Sequence, residues 1–389
     1  MSSWVLLTDA QQRKTLAAVR SLGKKGVYVM AAEETRWATS LFSRYCRKGF
    51  VYPSPKKHPG EFLRWLLNTL ERFPCDVLFP MDDNVLEIVA DHRENIARHC
   101  RIPVPEKDIY NLAADKALSV QIAREAGLDC PETIVPRELD ELKQGASRLG
   151  FPVIVKPRKS SGSRGIQVIT DEKNLLESYA NIHKQYPYPI VQEYLGAGEK
   201  YDVCLLFDRS SKLKASFVQK EIRHFPLGRG PSTVQESVWR PDLVEKAAFL
   251  LQKMKWYGVA EVEFMVDPGD GKTKFMEINP RFWGSLQMSI LAGVDFPWLL
   301  YRLAMDGDIE EVFTYTVGLK CRWLLPGDIL HFIYNKKRFS MDPPFFTTKK
   351  SGVHDDIVSL EDPLPALGFF LACMRYVFDP EMWSFMFRR

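Results

Sequence analysis

No CxxC pair occurs among the seven cysteines, which fall at positions 46, 75, 100, 130, 204, 321 and 373. An odd, scattered set of this kind argues against a disulfide framework or a cysteine zinc site and suits a reducing compartment. The sequence also lacks any run of roughly 18 uninterrupted apolar residues, the length a helix needs to cross a bilayer. Its opening residues, MSSWVLLTDAQQRK, have too short an apolar core for a secretory leader and no basic residue ahead of it. The expectation is a cytoplasmic protein. Charge of one sign is missing too: 53 basic against 49 acidic residues leave a net +4, which implies no pull toward nucleic acid. The seven histidines form no Ser/His/Asp or Cys/His arrangement, so nucleophilic catalysis by a side chain has no candidate.

What is present is apolar residue in quantity, 46% of 389 positions, enough for two or three domains each with its own core. In the first part, strand signals at 4–7, 27–31, 50–52 and 76–80 are separated by helical segments at 12–22 and 61–72 and followed by one at 84–98. Strands spaced by helices predict a parallel sheet, whose ligands lie beyond the carboxyl ends of its strands. Thr8-Asp9 and Met81-Asp82-Asp83 occupy those ends, and one of the two later aspartates is expected to cap the helix after it. The turn TDAQQRK has no glycine, so the dinucleotide fingerprint is absent, which considerably weakens a dehydrogenase reading. From about residue 110 helices at 115–126 and 138–149 lead into a strand at 153–156. Strands then dominate to residue 279, which predicts an α+β section.

Two segments, GVAEVEFMVD (258–267) and KFMEINPRF (274–282), carry the strongest chemical signal. Alternation puts Glu261, Glu263 and Met265 on one face of the first, and Phe275, Glu277, Asn279 and Arg281 on one face of the second. A turn centred on Asp270 sets Glu263 opposite Glu277, and Glu261 opposite Asn279. Two carboxylates about 5 Å apart at an effective dielectric near 20 repel by roughly 3 kcal/mol. Magnesium, which takes oxygen ligands from one or two carboxylates and from phosphates, would offset that; the competing reading is a solvated hairpin. On the repulsion argument, replacing both acids is expected to raise metal-free stability.

The segment FPVIVKPRKSSGSRGIQVI (151–169) ends an apolar strand on Lys156, where an ammonium needs an anion. The loop behind it, with Ser161, Gly162, Ser163 and Gly165, can present successive N–H groups to phosphate oxygens, beside Lys159 and Arg164. It is not a P-loop, because the GxxxxGK[ST] spacing is absent. In VQEYLGAGEKYDV (191–203), a strand running into Glu193-Tyr194-Leu195 offers backbone groups and an apolar wall to a purine, with Glu199 for ribose hydroxyls. Taken alone, that stretch is also an ordinary strand–turn–strand.

In this order the segments resemble the ATP-grasp superfamily, nearest to its carbamoyl-phosphate synthase and carboxylate–amine ligase branches, over most of residues 1–305. The resemblance implies an N-terminal doubly wound parallel-sheet (pre-ATP-grasp) domain at 1–110. A two-lobed ATP-grasp clamp would follow at 111–307, its lid lobe at about 111–195 and its metal-binding lobe at about 196–307. A C-terminal extension would occupy 308–389. It further implies that Lys116 and Lys156 hold nucleotide phosphates under the loop at 160–165. Gln192, Glu193, Tyr194 and Leu195 would meet adenine and Glu199 the ribose. Glu263, Glu277 and Asn279 would hold two magnesium ions, with manganese as the alternative, and Arg281 would face the transferring phosphate. The implied activity is ATP-dependent ligation of a small carboxylate to an amine through an acyl phosphate, with release of ADP and phosphate. A bicarbonate-activating carboxylase and a non-catalytic nucleotide-binding regulator are the alternatives. Lys220, Arg223, Arg229 and Ser232 fall where the family lines its nucleotide or acceptor pocket, or on a charged surface hairpin. A homo-oligomer is expected. The apolar stretch 364–373 and the aromatic, arginine-ended 382–389 suit core packing, a dimer face or peripheral membrane contact.

Overall fold

The computed structural model describes residues 3–347, apart from 161, 163 and 229, and residues 352–376. Ser161, Ser163 and Arg229, and the tail from 377 onward, therefore lie outside the described residues.

The first sheet contains β1 (Trp4–Leu7), β2 (Tyr28–Glu33), β3 (Cys46–Val51) and β4 (Val77–Phe79), in the order β3-β2-β1-β4 and wholly parallel. Helix Arg13–Lys24 is buried all round from Lys14 to Leu22, whereas Pro59–Arg72 buries one face. Ala17, Ala18, Val19 and Leu22 of Arg13–Lys24 enter one core, and Phe62, Leu66 and Leu70 of Pro59–Arg72 another. Two local expectations are corrected. The third strand begins at Cys46 rather than 50; it is an edge strand whose Arg47, Lys48 and Gly49 are exposed, so it lacks an apolar run to betray it. The helix expected at 84–98 breaks at His92 into Asp83–Asp91 and Arg93–Ala97.

A small antiparallel sheet follows, made of β5 (Thr133–Ile134), β6 (Val153–Lys156), β7 (Gln167–Ile169) and β8 (Ile190–Glu193), in the order β5-β8-β6-β7. Helices Leu139–Leu149 and Glu172–Gln185 close over it through Leu142, Ala146, Leu175 and Ile182. These residues form an apolar core of their own, separate from the others.

The largest sheet has seven strands: β9 (Lys200–Phe207), β10 (Leu213–His224), β11 (Ser232–Ser237), β12 (Gly258–Val266), β13 (Thr273–Asn279), β14 (Lys320–Arg322) and β15 (Val353–Asp355). Their order is β13-β12-β9-β10-β11-β14-β15, antiparallel except for the last pair. Helix Pro241–Lys253 covers one face, and Val120 and Ala123 of helix Lys116–Glu125 join the same core. The segment beyond residue 308 thus supplies the sheet's last two strands. It then returns to the start of the chain: Asp356 pairs with Arg13, and Asp362 with Arg20 at 2.9 Å, all four buried or nearly so.

Candidate active site

The β12–β13 hairpin sets the site. Glu263 pairs across the strands with Glu277, and Glu261 with Asn279, the register that alternation predicts. One residue departs from the expectation. A β-bulge at Met276 makes Phe275 the partner of Phe264, so Phe275 turns into the core instead of sharing the face of Glu277. Asn279 Nδ2 donates to Glu261 Oε2 (3.0 Å) and to Glu263 Oε1 (2.7 Å).

The acids of this face differ sharply in charge preference. Burial, then repulsion from Glu277 and Glu261, pushes the Glu263 carboxyl well above its ordinary range. Burial also raises Glu261, to about 8, although Arg281 opposes the shift. Burial works on Glu277 too, but Lys116 and then Lys156 outweigh it and hold this carboxylate below its usual value. Lys116 Nζ lies 3.0 Å from Glu277 Oε2 and donates to Ser160 O at 2.9 Å. Its position is set by the preceding residue: Asp115 caps the helix by accepting from Ala117 N and Leu118 N, and it pairs with Arg158 at 2.6 Å.

Lys156 ends β6, is buried, and donates to Gln192 Oε1 at 2.7 Å. Burial brings its pKa down to about 8 against the pull of Glu277. Gln192 is held from the other side, its Nε2 donating to Thr133 Oγ1 at 2.8 Å. Next along, Glu193 pairs with Lys274 of β13 at 2.7 Å, Tyr194 is exposed and Leu195 buried. Glu199 accepts from Tyr201 Oη at 2.7 Å and pairs with Lys220, which lowers its pKa. In the loop, Gly162 and Gly165 have φ of 63° and 76°, and at Gly165 a Cβ would strike Pro157 and Tyr186.

Arg281 joins the hairpin to the first sheet. Its Nε lies 2.9 Å from Asp83 Oδ1 and its Nη2 donates to Asn279 Oδ1 at 3.2 Å. Burial disfavours its charge, but Asp83 and Asp82 more than restore it. Neither aspartate caps the helix as expected. Asp83 is engaged by Arg281, and Asp82 makes no side-chain cap bond but accepts from Gln12 Nε2. Arg223 is likewise no surface residue: it is buried against Asp328 at 3.2 Å and donates to Pro343 O. Ser232 is buried, its carbonyl accepting from Arg13.

Two acidic residues escaped the sequence reading. Asp202 lies opposite Glu263 on β9, accepts from Gln219 Nε2 at 2.7 Å, and is raised well above its ordinary value by burial and by Glu221, Glu261 and Glu263. Glu221, on β10, is paired with His224 at 2.7 Å. The only signal for Asp202 in the sequence is a carboxylate within the otherwise largely apolar KYDVCLLF. Among the described residues no three acidic, histidine or cysteine side chains converge as a metal cage. A magnesium site here rests on two carboxylates and an amide oxygen, an all-oxygen set that phosphate oxygens and water would complete. Burial and mutual repulsion favour the proton on Glu261, Glu263 and Asp202, carboxyls short of counter-charge that such a cation would supply.

Comparison with known proteins decides what this arrangement is. A family profile described as "Carbamoyl-phosphate synthase L chain, ATP binding domain" matches residues 115–194, the part that carries Lys116, Lys156 and Gln192. A second, "ATP-grasp in the biosynthetic pathway with Ter operon", matches residues 213–325, which include the acidic hairpin. The segments that build the site are thus similar to those of the ATP-grasp superfamily. A carbamoyl phosphate synthase large chain of Halomonas eurihalina is 26% identical over 228 residues, 54% of this chain but only 20% of its own length. A D-alanine–D-alanine ligase of Bacillus anthracis is 26% identical over 209 residues, 51% of this chain and 67% of that one. Among solved structures, the biotin carboxylase domain of a Hydrogenobacter thermophilus 2-oxoglutarate carboxylase, in complex with MgADP, ADP and bicarbonate, superposes with a TM-score of 0.68. It covers 81% of this chain and 73% of that one at 17% identity, a likeness of fold. ATP with magnesium is the nucleotide chemistry of this superfamily, and its ligases release ADP.

Proposed function

We propose that this protein is an ADP-forming carboxylate–amine ligase, whose site lies between the small sheet and the β12–β13 hairpin. The observation that carries the reading is the separation of charge. Lys116, Lys156 and Arg281 surround Glu277, while Glu263 opposite it stays short of counter-charge. In this reading Gln192, Glu193, Tyr194 and Leu195 receive adenine and Glu199 the ribose. The loop at 160–165, with Ser161 and Ser163, covers the phosphates. Glu263, Glu277 and Asn279 hold magnesium, two ions by the chemistry of phosphoryl transfer, which would neutralise charge on the terminal phosphates.

The substrate carboxylate oxygen attacks the γ-phosphorus, the bond to the bridging oxygen of ADP breaks, and an acyl phosphate forms. An amine nitrogen then attacks the acyl carbon, phosphate leaves, and the amine loses its proton as the amide forms. Lys116 and Lys156 bind the phosphate oxygens, and Arg281 stabilises the charge that builds on the transferring group. The lid excludes water from the acyl phosphate. D-alanine–D-alanine ligase among the relatives supports the amide-forming step. Domains at 1–110, 111–307 and 308–389, a homo-oligomer and a cytoplasmic location complete the reading.

A screen of carboxylates with hydroxylamine in place of the amine tests it. ADP and a hydroxamate are expected together, and both are lost in Lys156→Met. Stoichiometric AMP, or ADP release that depends on bicarbonate alone, would overturn the ligase assignment.

A further inference from the structure

The segment after β14 carries a feature that nucleotide chemistry does not use. Phe332 sits at the centre of four phenylalanines, with ring centroids 4.3 Å from Phe345, 5.5 Å from Phe346 and 5.6 Å from Phe339. The cluster is firmly mounted. Arg322 of β14 donates to Phe345 O at 2.9 Å, and the buried Arg223 donates to Pro343 O at 2.8 Å. Yet its outer rings face solvent: Phe339 is 83% and Phe346 78% exposed, with Ile333 and Tyr334 about half exposed beside them. Between Tyr334 and Phe339 run Lys336, Lys337 and Arg338, the lysines exposed and Arg338 lying over the Phe332 ring. Asp342 is the one acid of the segment 332–347.

We propose that this mounted aromatic knob docks the protein on an anionic lipid surface. Water is a poor solvent for two rings held outward, and a membrane interface accepts them at the headgroup level while its negative charge attracts the three cations. A second copy of the chain is a worse complement. A two-fold contact sets the patch against itself and places three cations opposite three more.

Sedimentation of the full-length chain with phosphatidylcholine vesicles, with and without phosphatidylserine, tests the proposal. The chain should pellet with the anionic vesicles and be released by salt. Phe339→Ser/Phe346→Ser and Lys336→Glu/Lys337→Glu should each lower partitioning by about tenfold or more, with melting temperature and ADP affinity unchanged. Absence of wild-type binding to anionic vesicles overturns the proposal, as does binding that neither variant weakens. A shift to a smaller oligomer in the phenylalanine variant would assign the knob to self-association. Capture of a single-stranded oligonucleotide that vesicles fail to displace would assign it to stacking on bases. Either result also overturns the lipid assignment.

Discussion

Glu263 and Glu277 face each other on one hairpin and are driven in opposite directions, so they answer substitution differently. Glu263 is raised, mainly by burial. The folded state then holds its proton more tightly than the unfolded chain, and stability falls as pH rises above the ordinary glutamate range. Glu263→Gln should raise the metal-free melting temperature near neutral pH, and the gain should vanish by about pH 4.5. Glu277 is lowered by Lys116 and Lys156, so its contribution is present above its ordinary value and lost as pH falls through the lowered one. Glu277→Gln strands a buried ammonium at 3.0 Å and should cost about 3 kcal/mol. Repulsion alone led to the expectation that removing both acids stabilises the protein. The lysine partner corrects it, and thermal melts of both single variants across pH separate the two effects. Lys156, with its pKa near 8, makes a second prediction at this scale. A phosphate beside it restores the ammonium, so metal-free ADP binding at about pH 8 should take up protons. Calorimetry in buffers of different ionisation enthalpy reads this directly, and Lys156→Met should remove the uptake.

At the scale of elements, legibility followed periodicity. The acidic hairpin could be read to the exact cross-strand pair because Glu261 and Glu263, and Glu277 and Asn279, alternate on the side of the bulge away from the turn. The bulge at Met276 leaves no mark in such a pattern, since one extra residue shifts Phe275 to the other face without changing composition. Lys156 was legible as a charge ending an apolar strand. The partner of Lys116 was not, because Glu277 meets it only through tertiary packing. Asp202 hid inside a strand whose other members are almost all buried and apolar. β14 and β15, three residues each, are too short to carry a period at all.

Across the whole molecule the late strands and the first helix are bound together. Cys321 of β14 lies in the same core as Val5, Leu22 and Trp283, and Arg13 and Arg20 reach Asp356 and Asp362. A chain ended at residue 307 would bare the edge of β11 and leave two buried arginines without their acids. It should fail to fold, as measured by circular dichroism and protease resistance. The small sheet is joined differently. Its apolar core is its own, and polar ties bind it to the rest: Glu193 to Lys274, Arg158 to Asp115 and Lys159 to Glu87. Dissolved ions screen the exposed Lys159–Glu87 pair most, the two partly buried pairs less, and leave apolar packing in place. Nucleotide exchange should therefore quicken with ionic strength well before the fold loosens, a dependence that stopped-flow release of a fluorescent ADP analogue would resolve. Ionic strength then becomes a setting of how long a nucleotide stays bound.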